Sequence, residues 1–245
     1  MLYLPATAGL AGIISSLIIN GKEGVKNLFK YFRFKAPEVS RNEAFKIWLQ
    51  AIVLVLILRL INALYVNIIN NGVAASLTEI NSPDSITVFI FILFTSMLFD
   101  GGGLMEEFGW RGFALPILQN KFTPLKCAII LGTLWSIWHI PVKMNVWPIL
   151  EFFSFYFSFT VSCILLTIIM VYFFNKLGGS VMITIAIHGL CNDSAGLGVI
   201  FSPENPKTNS LVYSGMWIII LAAAVLFILY KEGVMLGLKT DKSIK

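Results

Sequence analysis

The chain has 245 residues, of which 57% are hydrophobic and only 13% charged, with a mean hydropathy of +0.82 and a formal net charge of +5. Soluble domains carry roughly 25% charged residues, so this composition excludes an ordinary water-soluble core and indicates an integral membrane protein. The basic residues lie between apolar runs and form no stripe with interleaved aromatics, which argues against nucleic acid as a partner.

A bilayer core about 30 Å thick needs roughly 20 apolar residues per helix. About seven such stretches follow one another, at 2–19, 47–66, 85–103, 124–142, 152–174, 180–200 and 211–230. The expected fold is therefore all-α, a polytopic membrane helical bundle forming a single membrane-embedded domain over 1–245. The opening "MLYLPATAGLAGIISSLIINGK" lacks the basic n-region and small-residue cleavage pattern of a signal peptide, and is read as the first span. Residues 20–46, "GKEGVKNLFKYFRFKAPEVSRNEAFKI", mix basic and aromatic residues at helical spacing, as in a segment lying on an anionic inner leaflet. A solvated loop would have the same composition. After the third stretch, Gly101, Gly102 and Gly103 form a natural break, and 104–119 is expected as a separate helix.

Lysine and arginine set the expected orientation, because the side that retains them is normally the cytoplasm. Seven lie in 20–46, three in 105–126, one at Lys176 and four beyond 230, so that alternation places fifteen of eighteen on one face. Lys143 and Lys207 fall on the other face, and Arg59 lies inside the second span. The expected arrangement in the cell membrane has the N-terminus outside and the C-terminus cytoplasmic. An odd number of spans is also compatible with further helices upstream. The three cysteines, Cys127, Cys163 and Cys191, show no CxxC spacing and read as small apolar-segment residues, not as a disulfide or thiolate metal site.

Against this background the stretch "GGGLMEEFGWRGFALP", 101–116, carries Glu106, Glu107 and Arg111. Charges inside a membrane cost on the order of 2.5–3.5 kcal/mol each on insertion scales, and they mark functional sites unless the interface solvates them. Glu107 and Arg111, at i and i+4, can pair. Glu106 points about 100° away around the helix and is left for another role. The chain has two histidines, His139 in "LWSIWHIPVK" and His188 in "ITIAIHGLCNDS", each inside an apolar run. Asn192 follows His188 at i+4.

Counting from the turn at 120–124 at 1.5 Å per residue puts Glu106 and His139 both roughly 21–23 Å deep, and His188 lies roughly 12 Å along its own span. Glu106, Glu107, Arg111, His139, His188 and Asn192 can therefore converge on one polar intramembrane cavity open to the cytoplasm. Two hydrolytic chemistries suit that set. Glu106 can act as general base on a water while His and Asn donors stabilise an oxyanion. Alternatively Glu106, His139 and His188 can ligate zinc or another divalent metal whose bound water attacks.

EExxxR at 106–111, a helix ending in His139, and HxxxN at 188–192 resemble, in this order, the CPBP family of CAAX proteases and bacteriocin-processing enzymes, also called Abi. The likeness covers about 85–200 as a catalytic core. It implies an intramembrane endopeptidase in which Glu106 with His139 activates water, His188 with Asn192 forms the oxyanion site, and Glu107 and Arg111 support the geometry. It also implies a peptide or lipidated-protein substrate entering from the cytoplasmic side. The family's second motif is usually FxxxH, whereas this chain has Trp135 at that position. Family members have been described both as metalloproteases and as metal-independent glutamate proteases, and the absence of HExxH decides neither. Two further classes stand beside hydrolysis: a bacteriocin self-immunity or scaffold protein acting by binding alone, and a transporter using buried Glu, His and Arg as an ion path.

Overall fold

In lipid every backbone N–H and C=O must be satisfied within its own segment, so long apolar runs become helices. The computed structural model describes residues 3–69, 83–146, 149–192 and 210–239, and all its regular elements are helical. In chain order these are α1 (Tyr3–Lys30), α2 (Arg41–Ile69), α3 (Pro83–Phe99), α4 (Gly101–Glu107), a π-helical segment (Phe108–Ala114) and α5 (Leu115–Gln119). There follow α6 (Pro124–Trp138), α7 (Ile140–Val146), α8 (Ile149–Lys176), α9 (Val181–Cys191), α10 (Ser210–Glu232) and a 3-10 turn (Gly233–Met235). The expected end of the sixth span, 193–200, and Lys207 lie outside the described residues.

The polytopic helical bundle is the observed architecture. Among the described residues, four stretches are long and apolar enough to cross a membrane: Arg41–Tyr65, Ile86–Gln119, Phe152–Lys176 and Ser214–Met235. Helices α6 and α9 are shorter apolar helices, and α1, kinked at Asn20–Gly21, packs against α4 and the π-helical segment. Helix α8 lies between α6 and α10. Helix α9 has all its residues from Ile183 to Leu190 buried, with α2, α3, α4 and α8 packed around it.

Of the basic segment 20–46, the part beyond the α1 kink is helical to Lys30 and Arg41 opens α2, while 31–36 is non-helical and bonded to the turn that starts α9. Ala36 N–H donates to Leu177 O at 2.8 Å, Val181 N–H donates to Tyr31 O at 2.8 Å, and the Ser180 hydroxyl donates to Arg33 O at 2.5 Å. Arg33 donates to the Gly179 carbonyl from Nε at 3.1 Å and to the Gly178 carbonyl from Nη2 at 2.5 Å. The turn requires φ of +68° at Gly178 and +91° at Gly179, a region that side-chain-bearing residues rarely enter. Phe34 stacks on Trp48 at 4.9 Å, and the Trp48 indole donates to Phe34 O at 3.0 Å, tying the same segment to α2.

Further contacts gather the other charged turns at this end. Gln119 donates to Asn175 at 3.0 Å, Asn175 donates to Leu236 O at 3.2 Å, and Lys176 pairs with Glu232 at 3.3 Å. The 31–36 segment, the end of α5, the α8–α9 turn and the end of α10 thus share one end of the bundle, the end where the sequence concentrates lysine and arginine.

At the other end of α9 the backbone itself is the contact surface. A Cβ on Gly189 would stand 1.9 Å from Ser96 O and 2.9 Å from the Asp100 Cβ, so α9 approaches α3 only because this position has no side chain. Gly189→Ala is expected to force the helices apart and destabilise the protein by about 1–3 kcal/mol, the usual range for overpacking. A lowered thermal unfolding midpoint in detergent or nanodiscs would register it; an unchanged midpoint would contradict this packing.

Candidate active site

The break in the third span falls one residue before the glycines expected to make it. Helix α3 ends at Phe99, and Asp100 caps α4 by accepting the Gly103 N–H on Oδ1 at 2.6 Å, leaving Gly101–Gly103 helical. Asp100 is the short acceptor favoured at a helix N-cap, which satisfies one of the otherwise unpaired first N–H groups. Nor is 104–119 one regular helix, since α4 ends at Glu107 and Phe108–Ala114 takes the wider i→i+5 spacing. Such π-helical stretches occur frequently at functional sites.

The π-helical segment changes the depth reckoning. It advances less per residue than an α-helix, so counting at a constant rise places Glu106 too far from the 120–124 turn. Glu106 meets Trp135, one turn before His139: its Oε2 accepts the Trp135 Nε1–H at 2.7 Å. The carboxylate expected to be unengaged therefore holds a buried, charge-assisted hydrogen bond, and Glu106 itself is 3% exposed.

Glu107 and Arg111 form the i,i+4 pair, with Arg111 Nη1 donating to Glu107 Oε1 at 2.7 Å and both side chains fully buried. The same Oε1 accepts from His188 Nδ1 on α9 at 2.9 Å. Arg111 Nη2 donates to the Thr167 hydroxyl of α8 at 2.8 Å, and its guanidinium lies 4.8 Å from the Trp135 ring centroid. One carboxylate, one guanidinium, an imidazole, a hydroxyl and an indole thus link the α4–π region to α6, α8 and α9. A buried network of this kind is favourable only when its members satisfy one another, and removing one leaves a stranded charge.

His139 terminates α6, its Nδ1 2.9 Å from Trp135 O. A carbonyl can only accept, so Nδ1 carries the proton and the neutral ring leaves Nε2 as an acceptor. Its ring is enclosed edge-on by Trp138 at 4.9 Å, Phe159 at 5.3 Å and Trp135 at 5.8 Å. Glu107, likewise an acceptor toward His188, fixes the proton on His188 Nδ1.

Asn192 stands one turn beyond His188, as the C-cap of α9. Helix α9 stops at Cys191, and Asn192 turns to an extended ψ of 154°, donating its backbone N–H to His188 O at 3.0 Å. Its side-chain Nδ2 donates to Asp100 Oδ1 at 2.8 Å, and both atoms lie close to Gly102, on the side faced by Glu106 Oε1. Arg59 stands at the same helix end, Nη1 donating to Cys191 O at 2.9 Å. A cation there complements the partial negative charge of the last carbonyls.

The structure thus brings Glu106, Glu107, Arg111 and His188 together around Trp135, places the His139 ring 5.8 Å from the same indole, and joins Asn192 through Asp100. It does not assemble the metal set. Glu106, His139 and His188 do not converge as ligands, and among the described residues no group of three or more His, Cys, Asp or Glu side chains is arranged to hold a metal ion. The sequence suggests Asp100 only as one candidate partner of Arg59, gives no role to Thr167, and marks Trp135 as an aromatic that shapes the cavity. A capping aspartate directly before a helix start was a legible signal; Thr167 and Trp135, distant along the chain from what they bond, gave none.

Thr167→Val removes the acceptor of a buried guanidinium donor and is expected to lower stability by about 1–3 kcal/mol, with Thr167→Ser close to wild type. Thermal unfolding of the two variants side by side checks it, and equal stability of the valine and serine proteins would contradict the contact.

With this geometry in place, comparison with known proteins identifies the segment that carries it. Residues 85–193 match the family described as type II CAAX prenyl endopeptidase Rce1-like. A curated relative, CAAX prenyl protease 2 of Methanococcus maripaludis, is 27% identical over 153 residues, 58% of this chain and 51% of its own. The chain therefore spans about half the length of that relative. The family match contains Glu106, Glu107, Arg111, Trp135, His139, His188 and Asn192 alike. Over residues 85–193, the chain is similar to the Rce1-like, CAAX-type family.

Proposed function

We propose that the protein is an intramembrane endopeptidase that hydrolyses a membrane-associated peptide with Glu106 as general base. The observation that carries this reading is the division of labour between adjacent glutamates. Glu107 is held by Arg111 and His188, while Glu106 has one oxygen bound to an indole and the other turned toward Gly102 and Asn192. Glu107 Oε2 has no hydrogen-bond partner but is fully buried, whereas Glu106 Oε1 lies beside the Asn192 amide, which favours Glu106 as the group that exchanges a proton with a water.

In the proposed reaction, Glu106 Oε1 takes a proton from water as the oxygen attacks the scissile carbonyl. His139 Nε2, the acceptor on its neutral ring, helps orient that water. The tetrahedral oxyanion is stabilised by the Asn192 side-chain amide and by His188, which in its doubly protonated form presents a second N–H at Nε2 while Glu107 holds Nδ1. Protonated Glu106 then passes its proton to the departing amine, so water is split across the peptide bond. Glu107, Arg111 and Thr167 hold His188 in place without touching the substrate. The steps use protein groups and water.

The substrate we propose is a CAAX-type or similarly lipidated peptide, as the name of the curated relative suggests, reaching the site from the cytoplasmic side. That side is the bundle end that carries the basic turns, following the charge bias of membrane topology.

Purified protein in lipid, given a farnesylated CAAX-type peptide and its unmodified counterpart, is expected to cleave the lipidated peptide. Glu106→Gln is expected to lower kcat by about 10²–10⁴-fold, the usual contribution of a general base, with KM little changed. His139→Ala and His188→Ala are expected to be similarly impaired. Undiminished cleavage by these variants would overturn the catalytic reading, and failure to cleave with intact peptide binding would point to a role by binding alone. Elemental analysis and chelator treatment of the active preparation test metal use separately.

A further inference from the structure

The two oxygens of Glu106 have unequal surroundings. Oε2 accepts the Trp135 Nε1–H at 2.7 Å in a buried position, whereas Oε1 lies on the side of Gly102, Asn192 and Asp100. A glutamate side chain loses considerable rotamer freedom when fixed, so a defined orientation needs a contact to hold it. Among the hydrogen bonds of the described residues, the Trp135 indole supplies that contact.

We infer that Trp135 is the positioning residue of this site: its indole N–H clamps Glu106 Oε2 and thereby presents Oε1 as the proton acceptor. The inference rests on the base role proposed for Glu106. Trp135 is suited to the task because each part of it is engaged. The N–H edge meets Glu106, and the ring lies 4.8 Å from the Arg111 guanidinium and 5.0 Å from the His188 ring. Its backbone carbonyl accepts from His139 Nδ1, which fixes that ring's tautomer. The indole therefore keeps Glu106 and Arg111 on different parts of itself, the carboxylate at its N–H edge and the guanidinium over its ring. Without the N–H, Oε2 becomes a buried acceptor lacking its partner, and the carboxylate is released to swing away from the substrate side.

The decisive substitution changes one atom pair and preserves shape. Replacing Trp135 by 3-benzothienylalanine, which puts sulfur where the indole N–H stands, is expected to lower kcat about tenfold or more with KM within about twofold. Trp135→Phe should match it in kcat while also losing packing. Full kcat in the benzothienyl protein, with loss only in Trp135→Phe, would assign Trp135 a packing role and overturn the inference. The Glu106→Gln enzyme separates the two readings: if it is active the base assignment itself fails, whereas if it is inactive and the benzothienyl protein is fully active only the role of Trp135 fails. A measurement on folded wild type keeps the inference testable should the isostere misfold. Of the six tryptophan indole N–H resonances in ¹⁵N-tryptophan-labelled protein in nanodiscs, the one lost in Trp135→Phe is expected to lie downfield and to move upfield in Glu106→Gln. A resonance indifferent to Glu106→Gln would overturn the clamp.

Discussion

A single carboxylate oxygen, Glu107 Oε1, holds this structure's interior together. It accepts from Arg111 within its own helical stretch and from His188 on α9, with all three side chains almost wholly buried. An unpaired charge in such surroundings is expensive, so the arrangement is nearly all-or-none: the α4–π region and α9 must stand where these atoms meet. Thr167 extends the constraint to α8 and the indole of Trp135 extends it to α6. The adjacent residue, Glu106, inherits its place from this network without belonging to it. That is how two neighbouring glutamates in one apolar segment come to have different surroundings, and different proposed tasks.

The rest of the fold serves α9, the short helix that delivers His188. Its first turn is bonded to residues 31–36, its last turn approaches α3 across Gly189, and the Cys191 carbonyl is met by Arg59. The helix ends at Cys191, and its C-cap Asn192 reaches Asp100 with its side chain. Asp100 in turn starts α4, so the two helices carrying the proposed catalytic groups share one residue at their junction. Membrane burial sharpens each of these contacts, because a lost hydrogen bond has no nearby water to replace it.

Much of this was legible in the sequence. Hydropathy alone located the apolar helices, and the rarity of charges in 101–116, together with two intramembrane histidines, pointed to the residues that meet in space. The Glu107–Arg111 pair followed from helical spacing. What failed was metric. Depth counted at a uniform rise set Glu106 opposite His139, because nothing in "FGWRGFA" announced a π-helical stretch; the true partner is Trp135, one turn away. Asn192 follows His188 by one turn as expected, but local pattern does not reveal that its side chain bonds to Asp100, distant in sequence. The basic segment 20–46 read equally well as surface helix or loop because its packing depends on backbone groups of the α8–α9 turn, which composition does not encode.

The central claim is that Glu106 is the reacting glutamate while Glu107 stays locked in the network. An experimental structure in a lipid nanodisc, with a peptide analogue bearing a tetrahedral hydroxyl at the scissile position, tests it most directly. The account predicts that hydroxyl within hydrogen-bonding distance of Glu106 Oε1, with Glu107 still shared by Arg111 and His188 and Trp135 still on Oε2. An analogue whose hydroxyl lies against Glu107, or which binds away from both glutamates, would contradict it.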